Sequence, residues 1–187
     1  MNKYINLVKN YIDNGCEENG SNRDLKHYER TLHWLLQLKP DAGEALQIAA
    51  YSHDAERVFR TAEYTGISNS TKGFRDEGHL EHHQTTGARL ISDFLLKHNA
   101  DKNLCEEVYA LISKHEVGGN ENQNLVKDAD SLSFFENNVE FFLTKQVEKM
   151  GKDKVRDKFD WMFQRITSDE AKGIARGWYE SALQRLG

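Results

Sequence analysis

Proline is nearly absent from this sequence, with Pro40 alone in the chain. Without breakers the chain is free to run long helices, and no segment shows the apolar–polar alternation of a half-buried strand. Cysteine is scarce as well. Cys16 and Cys105 lie far apart with no paired spacing, which argues against a disulfide framework and fits free thiols in a reducing compartment. No apolar stretch approaches a membrane span, and the start, MNKYINLVKN, lacks the apolar core of a signal peptide. A basic excess is missing too. The formal net charge of −5 offers no footprint for a nucleic-acid polymer or an anionic membrane. These absences point to a soluble cytoplasmic protein, monomer or homodimer. Its 187 residues are enough for one domain with its own core.

What is present is helical spacing. It predicts helices over about 2–14 and from Ser21–Asn22 to Lys39, where Pro40 stops the second. A third helix, capped by Asp41, carries GEALQIAAYSHD. Further helices are expected at about 80–98, 102–115, 124–148, 150–167 and 169–185, the last with Asp169 and Glu170 in its first turn. The longest loop runs from about Arg57 to His79 and is rich in Gly, Ser, Thr and Asn. NGCEENGSN and EVGGNENQN read as shorter loops, and neither divides the chain. The fold class is all-α, a single helical domain over 1–187 with about 7–8 helices.

The chemistry-bearing residues are histidines, eight in all. Leu46, Ala49, Ala50 and His53 follow an i, i+3, i+4, i+7 pattern, so His53 lies on the buried stripe of its helix. His115 shares a face with Leu104, Val108, Leu111 and Ile112. In EHHQTTGARLISDF, His83 aligns with Gly87, Leu90 and Phe94 and points inward, whereas His82 aligns with Thr86, Arg89 and Asp93 and points out. His27 shares a face with Thr31, Trp34 and Leu38, while His33 and His98 read as structural or surface residues. One inward histidine is commonly a hydrogen-bonded core residue, and Asp54 alone could simply end its helix. Four such histidines on four helices, one beside Asp54, are better explained by a metal, which satisfies neutral imidazoles in a dry site. The acidic partners include Asp128 or Asp130 in VKDADSLSFFE, between which periodicity does not choose. Carboxylates in so apolar a helix need a metal or a salt bridge.

The order of these residues resembles the HD-domain superfamily of metal-dependent phosphohydrolases. HYERT at 27–31, the His53-Asp54 pair, HQTTGA at 83–88, ISKHEVGG at 112–119 and DADSL at 128–132 are similar to its successive motifs over roughly 22–135. The tail from about 136 carries no such motif. The resemblance implies a helical bundle and the metal ligands His27, His53, Asp54, His83, His115 and Asp130, with Asp130 selected over Asp128. His83 and His115 are what dinuclear members add, with Asp54 then bridging; some mononuclear members use similar histidines on phosphate. It further implies one or two divalent transition ions (Mn, Fe, Co or Zn) and hydrolysis of a small phosphorylated metabolite, such as a nucleotide, by a metal-activated water. Asp54, Arg57 and Lys114 are the expected catalytic residues, and Arg30, Lys72 and Arg75 the expected substrate cations. Tyr51, Phe59, Tyr64 and Phe74 would stack on a base or pack in the core. The same ligand pattern resembles di-iron oxygenases of that superfamily, and a non-catalytic metal- or nucleotide-binding module is a third expectation.

Overall fold

Apolar residues three and four apart set the packing of each helix in the computed structural model, which describes residues 3–20, 22–60 and 73–187. Ile5, Val8 and Ile12 bury one face of α1 (Lys3–Glu18). Tyr28, Thr31 and Leu35 do the same for α2 (Asn22–Leu38), and α3 (Glu44–Ser52) is buried almost all round. After the short α4 (Ala55–Val58) and a 3₁₀ turn at Gly73–Arg75 come α5 (Glu77–Lys97) and α6 (Lys102–Ile112). Then follow α7 (Glu121–Asn137), α8 (Val139–Phe141), a π-helical turn at Phe142–Gln146, α9 (Val147–Met150), α10 (Lys152–Gln164) and α11 (Asp169–Leu186). The described residues contain no strand, so the all-α expectation holds, with eight helices of nine residues or more plus the short α4, α8 and α9.

Several boundaries differ from the sequence expectation, each for a local reason. Helix α1 continues through Asn14–Glu18 because Gly15 and Cys16 are buried. A Cβ at Gly15 would lie 2.8 Å from the Val58 side chain and 2.7 Å from Phe59, so glycine permits this close approach. Gly43, not Asp41, occupies the N-cap of α3; Asp41 is exposed and pairs with Lys39. The expected 57–79 loop is shortened at both ends by α4 and by α5, which Asp76 caps at His79 N. Positions 61–72, with Tyr64 and Lys72, lie outside the described residues. Helix α6 stops at Ile112, leaving His115 in the turn beyond it. The expected 124–148 helix starts earlier, at an Asn120–Gln123 capping box, and is interrupted at Asn138 and again by the π turn.

Two apolar clusters meet along α7. Val126 and Ala129 belong with α1 to α6, whereas Leu132, Phe134 and Phe135 belong with α8 to α11. Every residue from Val126 to Phe135 is buried, five of them polar, and each polar one is matched. Lys127 donates to Thr167 Oγ1, Ser131 accepts from Arg165, Ser133 meets His27, and Asp130 faces the histidines. Asp128 accepts from the backbone N–H groups of Thr167 and Ser168, both at 2.8 Å, and so anchors the entry to α11. Replacing Asp128→Asn removes the charge and puts amide hydrogens against an N–H. The change should cost about 2 kcal/mol, read as a fall in Tm of about 4–8 °C, with metal content unaltered. A loss of metal at normal Tm would mean Asp128 is a ligand instead.

Candidate metal centre

The imidazoles are oriented from behind. At His53, the C-cap of α3, Nδ1 donates to Ala50 O at 2.9 Å; at His115, Nδ1 donates to Ile112 O at 2.8 Å. A carbonyl oxygen only accepts, so both rings carry their proton on Nδ1. Thus each histidine satisfies a carbonyl left over at a helix end and turns Nε2 inward. His27 Nδ1 meets Ser133 Oγ at 2.8 Å, and since that hydroxyl donates to His27 O, the imidazole is again the donor. His83 Nδ1 donates to Glu56 Oε2 at 2.8 Å, and Glu56 is in turn held by Arg60. All four histidines therefore turn Nε2 to one place.

The Nε2 atoms converge on Asp54 and Asp130. His83 Nε2 lies 2.9 Å and His115 Nε2 3.5 Å from Asp54 Oδ1, while His53 Nε2 is 3.8 Å from the other oxygen, Oδ2. His27 and His53 approach Asp130 Oδ1 at 3.1 and 3.5 Å. Two donor groups result, Asp54–His83–His115–Glu116 and His27–His53–Asp130, each with atoms within 4.8 Å of one another. All seven residues are buried. Two features call for a cation between these atoms. His27 and His53 face each other Nε2 to Nε2 at 3.3 Å, a contact that needs a proton or a metal ion between the two nitrogens. His115 Nε2 is fully buried with no hydrogen-bond partner. The donor set thus fits a metal ion. Burial opposes a charge on His53, but Asp54 and Asp130 outweigh it and push its pKa up to about 9. For His115, burial prevails and its pKa falls.

Two guanidinium groups complete the charge balance. Burial works against the ionised carboxylates, yet Arg57 and His53 hold Asp54 well below the usual range, and Arg165 and His53 do so for Asp130. Arg57 reaches Asp54 Oδ2 at 3.1 Å and Glu116 Oε1 at 3.7 Å. Arg165 enters from the end of α10, bonding Asp130 Oδ2 and Glu116 Oε2 while its Nε donates to Ser131. Asp130 keeps Oδ1, and Glu116 keeps Oε1, turned toward the imidazoles. A narrow cavity of about 50 Å³ opens over the cluster between α4 and α10, with Arg57, Lys158 and Arg165 in its wall.

The structure brings His27, His53, Asp54, His83, His115, Asp130 and Arg57 together, and it separates Asp128 from them. The other expected cations are elsewhere. Arg30 is clasped by Glu136 at 2.7 and 2.8 Å, because its side chain runs outward along α2 over Trp34. Lys114 is exposed on a different cleft, beside Gln84 and Tyr109, because the turn after α6 sends its neighbour His115 inward. Arg75 pairs with Asp157 on the flank of α10, and Lys72 is outside the described residues. Tyr51 and Phe59 are core residues: the Tyr51 hydroxyl donates to Asp13 and the Phe59 ring stacks on Tyr11. Sequence reasoning missed Glu56, Glu116, Lys158 and Arg165 as members of the site. The first two adjoin the HD pair and His115, a signal that was readable; the last two stand in a tail without motifs.

An all-α protein with a buried His/Asp/Glu cluster able to hold a metal ion is thus defined. The chain belongs to the family described as a domain of unknown function, DUF4202, whose match covers residues 10–181. That span takes in the donor set and also α10, with Lys158 and Arg165. No curated protein and no solved structure matches the chain. No helix among the described residues is long and apolar enough to cross a membrane.

The orientation of α5 provides a direct check, since His83 is buried and His82 exposed. His83→Ala should sharply reduce bound metal, and His82→Ala should leave it unchanged. Glu56→Gln, which weakens the support behind His83, should lower metal affinity about 10–100-fold. Elemental analysis with a metal titration measures all three. Equal losses at positions 82 and 83 would refute the donor assignment.

Proposed function

We propose that this protein is a metal-dependent phosphohydrolase of the HD-domain type, acting on a small phosphorylated metabolite such as a nucleotide or related phosphoester. The observation that carries the reading is the position of Asp54. One of its oxygens faces His83 and His115, the other faces His53 and Arg57, and the second donor group adjoins through His53. His27, His53, Asp54, His83, His115 and Asp130 would hold one or two ions there, with Asp54 common to both donor groups' surroundings and Glu116 a further donor. Histidine-rich ligation favours Mn²⁺, Fe²⁺, Co²⁺ or Zn²⁺ over a Mg²⁺-only oxygen cage. Such ions lower the pKa of water at the site and polarise a phosphoryl oxygen.

The remaining residues have separable tasks in this reading. Glu56 and Ser133 fix the tautomers of His83 and His27. Arg165 holds Asp130 and Glu116 so that one oxygen of each faces inward. Arg57, half exposed beside Asp54, receives and orients an anionic group. Phe134, Phe142 and Met162 contribute apolar surface to the same cavity, which limits water around the reacting bond.

Stripping the protein with a chelator should lower Tm and abolish phosphoester hydrolysis together, and a divalent transition metal should restore both. Asp54→Asn keeps the shape but removes the charge, and should reduce turnover by about 10³-fold or more with the fold retained. A parental rate for Asp54→Asn would sink the proposal. Turnover that requires O₂ and releases no phosphate would assign the donor set to an oxygenase instead. Tight metal binding without turnover on a broad phosphoester panel would mark a binding module.

A further inference from the structure

Lys158 stands apart from the other cations at the cavity. Arg165 and Arg57 are paired with carboxylates, whereas among the described residues Lys158 makes no ion pair and no hydrogen bond. Its Nζ is instead held among rings, 4.4 Å from the centroid of Trp161, 4.9 Å from Phe74 and 5.7 Å from Phe134. Trp161 lies one turn along α10 on the same face, and the Phe74 ring packs on it with centroids 5.5 Å apart. Ring faces attract an ammonium but supply no acceptor to replace its water. Burial accordingly pushes the Lys158 pKa down to about 8. An ammonium kept half-buried in a cavity wall, with the Glu116 and Asp130 carboxylates near but beyond ion-pair reach, is a place prepared for an anion.

The size of the cavity limits which anion. About 50 Å³ admits a few waters or one phosphoryl group, far less than the several hundred Å³ that encloses a whole small-molecule ligand. We infer that Lys158 and Arg57 form a subsite for a terminal phosphoryl group, so that the ligand is a phosphomonoester or terminal anhydride entering phosphate first, its remainder left outside beside Phe74 and Trp161. A diester, with a substituent on both sides of phosphorus, does not fit. This rests on the phosphohydrolase reading for its metal but not for its anion.

The test uses the full chain, loaded with Mn²⁺, and calorimetric titration with orthophosphate, phenyl phosphate and diphenyl phosphate. Metal content and Tm are measured on the same samples. The parent should bind the first two and not the diester. Lys158→Met should weaken orthophosphate and phenyl phosphate binding at least tenfold at unchanged metal content, with Tm equal or higher because an unpaired ammonium has been removed. Lys158→Arg should recover affinity to within about threefold. A lower Tm with unchanged phosphate affinity would make Lys158 a packing residue and overturn the inference, as would diester binding equal to that of the monoester. If the parent holds no metal yet loses phosphate on Lys158→Met, the subsite stands and the metalloenzyme reading falls.

Discussion

Two carboxylates buried within reach of one another are the constraint from which the rest of this molecule follows. Asp54 and Asp130 are removed from water among four imidazoles, where an isolated negative charge is strongly disfavoured. Each is kept ionised by a guanidinium on one oxygen, which leaves the other oxygen to the histidines. The imidazoles already donate through Nδ1 to acceptors behind them, so a metal ion taken up at Nε2 needs no change of tautomer. A cation at the centre would satisfy the Nε2 atoms and the inward carboxylate oxygens together, including the unpartnered Nε2 of His115. That is why the cluster is read as a metal centre rather than as a polar core network.

The C-terminal helices are part of this balance. Helix α7 is buried along ten consecutive positions and serves two apolar clusters, so its polar residues are distributed between them. Asp130 and Ser133 turn toward α2 and the histidines, while Asp128 and Lys127 turn toward the turn that opens α11. Arg165 returns across the boundary to Asp130 and Glu116. The second cluster is therefore tied to the site through a charged contact as well as through packing. Removing either contact would leave the other half of the molecule with an uncompensated group.

Much of this was legible in the sequence. The 3.6-residue spacing that buries His83 and exposes His82 is a local property, and it survives folding because α5 is long and regular. The ends of α3 and α6 were harder to read. Periodicity carried His53 and His115 onto their helices, but both sit just past the last helical residue, where Nδ1 can close on a carbonyl three residues back. Periodicity does not separate Asp130 from Asp128, since both lie in a helix buried on all sides; the family resemblance favours Asp130, and the tertiary contacts turn it to the histidines. The cations were least legible. Arg30, Lys114 and Arg75 are near the donors in sequence but point away, whereas Arg165 reaches Asp130 across 35 positions. Nothing local to α10 announces which neighbour its basic residues will meet.

The helix ends behind His53 and His115 have one more effect. An α-helix carries about half a unit of negative charge at its C-terminus, and here α3 and α6 both direct that end at the same few ångströms. The backbone itself thus adds to the negative potential of Asp54, Asp130 and Glu116. Part of the pull on a positive charge at the centre is thus fixed by the fold, and no single side-chain replacement removes it.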